Sequence, residues 1–453
     1  MAASWRKRSP GDLSAELPEV SATPVGPVVA AAAAAAEKWA RMPLDERCEC
    51  LRNAQSAIAA GKDDLARGIA IETGKPLTES LGEVGAVIAK IDLTIADARE
   101  HLAPREVTGG PHPARVRRLA RGVAAVIAPF NFPLHLGHGA TVAHLLAGNP
   151  VVLKPSPLAA NVVARYAELM RGAMPAGVFG LVQGGAGEAL ALAGDARVRA
   201  VCFTGSVAAG RALATALAAD FSKELALELG GRNHAIVCAD ADLALAADAV
   251  ADALCLTCGQ RCNATSRVLV HADAAAEFEA LLLKSVARYV PGDPLLAATK
   301  LGPLISADAL GRYTRLIAED CEWLLAGSVV GSVDGKRGHY VTPAIRRGFV
   351  HDDAEPFAPL LEIESFTDTG DAARRANATP FGLTVSVFTR DRAAFDGLAG
   401  VLHAGNIYAN LPTTFSPGTL PFGGFGLSGN GRPGGRGFIR FCTQEQAVQW
   451  TGF

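Results

Sequence analysis

GVAAVIAPFNFPLHLGHGATVAHLLAGNPVVLKPSP, residues 122–157, is the stretch whose reading decides the fold. VAAVIAPF and PVVLKP are short apolar runs of strand length, each closed by proline, and the residues between them read as a helix that stops at Gly148. The pattern continues with a helix from Ala159, the run VFGLVQGG, another helix, and AVCFTGS. Short β-rich runs alternating with helices are the mark of a parallel sheet covered by helices on both faces. A second alternating series runs from Ser266 to about Asn410, with SRVLVH, TVSVF and AGNIYAN as its clearest strands, and Gly230 and Gly231 mark the join.

The expected fold is therefore α/β, with two doubly wound parallel domains plus a small β oligomerisation element. Residues 1–103 and 123–230 are assigned to a dinucleotide-binding domain and 231–425 to a catalytic domain. Residues 104–122 and 426–453 form a hairpin and a terminal strand. Neither of these has a home sheet in the sequence, and proteins usually cover open strand edges, so a homodimer or homotetramer is expected.

Composition narrows the function classes. The chain has 453 residues, a formal net charge of −2 and 49% apolar residues, which fits a soluble cytoplasmic enzyme and gives no reason to expect nucleic acid or a membrane as partner. The basic cluster Arg115, Arg117, Arg118 and Arg121 lacks interleaved aromatics and reads as a solvated face. Nine scattered cysteines suggest reduced thiols. Cys255, Cys258 and Cys262 have no fourth ligand at standard spacing, so no metal is expected. Arg6, Lys7 and Arg8 before the alanine run imitate a signal peptide, but acidic residues intervene and the run continues into EKWARMPLDERCECLRNAQSAIAA, read as one first surface helix.

In a parallel sheet, ligands bind at the carboxyl ends of the strands, and the candidate residues gather there. AVCF runs into TGSVAAGRALATAL, where Ser206 can cap a helix and Gly205 and Gly210 keep its first turn bare, a ready anion site that any capped helix could equally present. Lys154 closes its strand before Pro155, either as a phosphate or ribose contact or as a solvated strand end. Asn131, held between prolines and aromatics, can donate to a developing oxyanion or simply cap the next helix. ELALELGG places Glu224 and Glu228 on one face of a strand, and the glycine pair after Glu228 lets another group approach it. In TCGQRC, Cys262 sits among small polar residues beside Arg261, a setting for a thiolate nucleophile, although free cysteine is more often a buried apolar residue.

Taken in order from ETGKP at Glu72 to Trp450, the motifs PFNFP, LLAGNPVVLKPS, LVQGG, FTGS, LELGG, GQRC, EPFAP and PFGGFGLSGNGRP resemble the aldehyde dehydrogenase superfamily. Within it, FNFPLHL, GQRC and SGNGRP resemble the succinylglutamate semialdehyde dehydrogenases of arginine degradation. The resemblance implies Cys262 as nucleophile, Glu228 as general base, and Asn131 with the Cys262 backbone N–H as oxyanion hole. It implies NAD, with NADP also open, held by Lys154, Ser156, Gly205, Ser206, Gly210, Leu229, Glu355 and Phe357. It implies a small-molecule aldehyde as substrate, with Arg261, His135 or Arg432 holding an acidic one.

Three departures stand out. Pro157 replaces the usual glutamate after KPS, which removes the carboxylate expected to repel a 2′-phosphate. Ala358 replaces glycine in EPFAP. The chain is also expected to lack the usual first strands.

Overall fold

The computed structural model describes residues 3–349 and 354–452. Val123–Ile127 is the centre from which the first sheet is built: all five of its residues are buried. Its alternate side chains serve two cores. Ala124 and Val126 face a cluster with Leu145, Val163 and Tyr166, whereas Val123, Ala125 and Ile127 face one with Val29, Leu192 and Leu213. A strand buried on both sides reads as a continuous apolar run, which is what VAAVI is.

This sheet has six strands in the order Gly429–Asn430, Glu224–Glu228, Val198–Thr204, Val123–Ile127, Val151–Lys154 and Phe179–Leu181. All neighbours are parallel except the first pair. A second sheet of seven runs Trp323–Leu325, Ala344–Arg347, Leu360–Phe366, Thr265–His271, Asn233–Val237, Thr384–Phe388 and Asn406–Ala409, antiparallel only at Trp323–Leu325. Glu362, fully buried within it, accepts from Arg232 Nη2 and Arg267 Nε at 2.9 Å each and from Arg346 Nη2 at 2.6 Å.

The hairpin and the terminal strand pair with each other. Thr443–Gln449 lies antiparallel to Ala114–Ala120, which in turn pairs with Arg105–Val107. Within Ala114–Ala120, Arg115 pairs with Glu106 and Arg118 with Glu445, and Arg121 just beyond it pairs with Glu224 of the six-stranded sheet.

Two N-terminal expectations are corrected. Short strands do precede the first helix, at Ser4–Trp5, Arg8–Ser9, Asp12–Glu16 and Val20–Ser21. They pair only with one another, and runs of two to five residues without apolar alternation leave little trace in sequence. The expected single helix is two, Val25–Arg41 and Leu44–Ala60, because Pro43 cannot continue the first and stands at the N-cap of the second. Among the described residues no helix is long and apolar enough to cross a membrane.

Candidate active site

A cavity of about 680 Å³ opens at the carboxyl ends of the six-stranded sheet, within the size range of small-molecule sites. Asn131, Lys154, Ser156, Gly205, Ser206, Glu228, Leu229, Cys262, Glu355 and Phe357 all line it. Gly210 stands behind the wall: a Cβ there would lie 2.9 Å from Leu229 Cδ2, so the glycine lets Leu229 pack against the helix.

The turn that carries Cys262 is unusually built. Thr257, Cys258 and Gly259 are consecutive residues at φ of 54°, 54° and 68°. Left-handed backbone at non-glycine residues costs energy and persists only where neighbours hold it. Those neighbours are identifiable: Thr257 donates its N–H and hydroxyl to Glu79, and Gln260 donates Nε2 to Thr257 O and accepts Ile305 N–H. Gly259 is obligatory, since a Cβ would lie 2.4 Å from the Ala358 carbonyl.

The same turn orients Asn131. Its Nδ2 donates to Gln260 O at 2.9 Å, which fixes the amide plane and leaves the second N–H of that nitrogen for another acceptor. It does not cap the following helix, whose first N–H groups instead meet Glu83: Leu134 N and His135 N donate to Glu83 Oε1 at 3.0 and 3.1 Å. Asn233 Nδ2 donates to the Cys262 carbonyl at 2.8 Å, so the nucleophile candidate is held from the other sheet as well.

Burial sets the electrostatics. Glu228 has no protein hydrogen-bond partner on either carboxylate oxygen among the described residues. Burial is the largest influence and raises its pKa to about 7, with Cys262 and Thr204 beside it acting in the other direction. Glu355 is raised to about 8, first by burial and also by the Glu228 carboxylate, against a pull from the Gly231 N–H. Its carboxylate lies against Gly230, where a Cβ would come within 2.0 Å of Oε2. Burial and these two carboxylates hold the Cys262 thiol well above the usual cysteine range, so it rests protonated at neutral pH. Glu224, at the far end of its strand, is exposed and pairs with Arg121.

At the other end of the cavity, Ser206 Oγ accepts from Ala209 N at 3.3 Å and caps the helix Val207–Leu217. Ser156 Oγ accepts from Leu158 N at 3.2 Å. Lys154 Nζ donates to Gly184 O at 2.6 Å and Pro155 O at 3.0 Å, and burial lowers its pKa to about 8. Phe357, at φ 46°, stands edge-on to Phe130 with ring centroids 6.0 Å apart.

The three residues expected to hold an acidic substrate fare differently. Arg261 donates Nη2 to Glu79 at 2.6 Å and lies over the Phe132 ring, so its charge is already matched. Arg432 Nη2 donates to Gly405 O at 2.7 Å and Gly423 O at 3.3 Å, clamping two loops away from the cavity. His135 is a neutral imidazole, its pKa lowered to about 4 by burial, with a buried Nδ1 that no protein group meets among the described residues. Leu136, Thr204 and Arg312 also line the cavity and were not anticipated; Leu136 lies in the quoted FNFPLHL, whereas Arg312 sits in an ordinary amphipathic helix. Cys255 and Cys258 are buried in the core of the second sheet.

The Aldehyde dehydrogenase family profile matches residues 4–448. The chain belongs to this family. Among its curated relatives is the N-succinylglutamate 5-semialdehyde dehydrogenase of Chromobacterium violaceum, 37% identical over 439 residues that cover 94% of this chain and 89% of the relative. The enzyme of the same name from Burkholderia pseudomallei is 34% identical over 442 residues, with the same coverage. The crystal structure of an NAD-dependent aldehyde dehydrogenase from Sinorhizobium meliloti superposes with a TM-score of 0.94 at 31% identity, covering 99% of this chain and 91% of that one. The α/β aldehyde dehydrogenase fold and an oxidoreductase acting on aldehydes follow from these matches.

Proposed function

We propose that the chain oxidises N-succinylglutamate 5-semialdehyde to N-succinylglutamate, with NAD or NADP, through a thioester on Cys262. The observation that carries this reading is the convergence of Cys262, Asn131 and Glu228 on one cavity at the carboxyl edge of a parallel sheet. The names of the curated relatives supply the substrate.

The residues of the cavity fit a dinucleotide. Gly205 is bare where a Cβ would press within 2.5 Å of the Phe203 ring, leaving the start of a Ser206-capped helix open to phosphate. Lys154 stands at a strand end, and Glu355 is set against Gly230 to meet a ribose. NAD(P), bound there, supplies the acceptor for the electrons and hydrogen lost from the aldehyde carbon. Among the described residues lining the cavity, the carboxylates are Glu228 and Glu355, both at the catalytic end, while Glu188 stands behind Gly185 and acts on Lys154, so Pro157 removes one carboxylate from the cofactor end but not every one.

The chain's own groups do the rest. Cys262 Sγ gives its proton through water to solvent and forms a bond to the aldehyde carbon, and the oxygen so charged is held by the Asn131 amide and the Cys262 N–H. Once the carbon is oxidised to a thioester, Glu228 takes a proton from a water that attacks it, releasing the acid and restoring the cysteine. A pKa of about 7 suits Glu228 to accept a proton near neutrality. A coenzyme-A-acylating reaction would not need this base, so its presence favours water.

The test is reduced-cofactor formation with N-succinylglutamate 5-semialdehyde and a panel of simple and acidic aldehydes, with NAD and NADP in parallel. Turnover of the succinylated substrate that Cys262→Ser abolishes is expected. Turnover of none of the aldehydes would point to a non-catalytic member of the family.

A further inference from the structure

Lys90 lies in the middle of the helix Leu77–His101 and is only 8% exposed. Among the described residues its ammonium makes no ion pair or hydrogen bond, and burial lowers its pKa against the attraction of Asp97. The acids around it are committed elsewhere. Glu83 takes Lys75 and two helix N–H groups, and Glu79 takes Arg261. Asp97, two turns along the same helix, attracts Lys90 but accepts from Gly437 N at 2.9 Å and lies 3.3 Å from His101 Nε2.

Lys90 lines a separate small pocket with Asp97, Gly139 and Gly434, and one helix connects that pocket to the catalytic cavity. Its stem rests on Gly139: a Cβ built there would be 3.4 Å from Lys90 Cε. Gly139 lies in the helix His135–Leu146, which begins just after the turn bearing Asn131. Leu136, one turn earlier in that helix, lines the cavity together with Cys262. At 1.5 Å of rise per residue, Gly139 is ~4.5 Å further along the axis. The neutral His135, with its unmet Nδ1, lies in the same region and feels the charge of Lys90.

We propose that Lys90 is a specificity-determining residue that pairs with a carboxylate at the end of the substrate remote from the aldehyde, with His135 as a neutral hydrogen-bonding neighbour. This rests on the acidic-aldehyde reading of the same site. With the aldehyde end at Cys262 and Asn131, a substrate carboxylate would give the ammonium the hydrogen-bonded ion pair that Asp97, engaged by Gly437 and His101, does not form with it. Arg261, already paired, contributes less than Lys90.

The experiment compares wild type, Lys90→Met and Lys90→Arg in the full-length enzyme. Steady-state kinetics with N-succinylglutamate 5-semialdehyde and with propanal are measured beside calorimetric binding of the product N-succinylglutamate. Lys90→Met is expected to raise KM for the acidic aldehyde and weaken product binding by about tenfold or more, the scale of one charge-assisted hydrogen bond. Its kcat and its kinetics with propanal should stay near wild type, and Lys90→Arg should recover part of the affinity. Equal losses with both aldehydes, or unchanged product binding, would overturn the proposal. Should wild type oxidise no aldehyde, the functional reading fails, and product binding alone decides the role of Lys90: binding lost in Lys90→Met supports it, while no binding to wild type overturns it.

Discussion

Asn131→Ala should reduce turnover sharply while leaving aldehyde affinity nearly intact. The amide is 4% exposed, and its Nδ2 is fixed by a 2.9 Å hydrogen bond to Gln260 O, so its remaining N–H is aimed without reorganisation. Such a donor acts on charge that develops only during reaction, and removing one typically costs about 10²–10³ in kcat, or about 2.7–4 kcal/mol. The expected signature is therefore a loss in kcat and kcat/KM together, with little change in KM. The assay is rapid-mixing formation of reduced cofactor, which separates chemistry from product release. Alkylation of Cys262 by iodoacetamide reports whether the turn has kept its shape. Turnover within about threefold of wild type, with chemistry limiting and alkylation normal, would refute the assignment of Asn131 as an oxyanion donor.

The remaining predictions concern the carboxylates. Because burial raises Glu228 to about 7, its basic form appears above that pH, so kcat should climb through neutrality in wild type and become flat in Glu228→Gln across the same range. A persisting climb in the variant would assign the proton transfer to another group. Gly230→Ala puts a Cβ 2.0 Å from Glu355 Oε2, and cofactor affinity followed by fluorescence titration should drop; an unchanged dissociation constant would mean that the position of Glu355 is immaterial to binding. Glu362→Gln deprives three buried arginines of a shared carboxylate, and breaking buried ion pairs typically costs about 3–5 kcal/mol, to be read as a lower denaturant midpoint. A midpoint equal to wild type would show that the cluster contributes nothing net.

What the sequence reveals and what it hides have physical causes. VAAVI and PVVLKP are buried on both faces, so their apolar runs announce parallel strands, and the residues following such strands fall where ligands bind. The pressure of Glu355 on Gly230 and the Glu79 carboxylate beneath Arg261 join segments more than a hundred residues apart, and no local pattern carries them. Arg261 and Arg432 are suggested as substrate contacts by their place in the matching motifs, and each also has a protein partner visible only in three dimensions. Lys90 is the opposite case: in sequence it is one more helical lysine, and only its burial against Gly139 sets it apart. The N-terminal strands are too short to show apolar alternation, whereas the break at Pro43 is legible in the sequence from proline chemistry.

The most direct test of the central claim is to trap the thioester. Glu228→Gln, incubated with the semialdehyde and NAD and digested under acid, should yield the Cys262 peptide carrying one acyl group per chain, seen by mass spectrometry and dependent on cofactor. Aldehyde oxidised with no adduct, or an adduct on a different cysteine, would contradict the account.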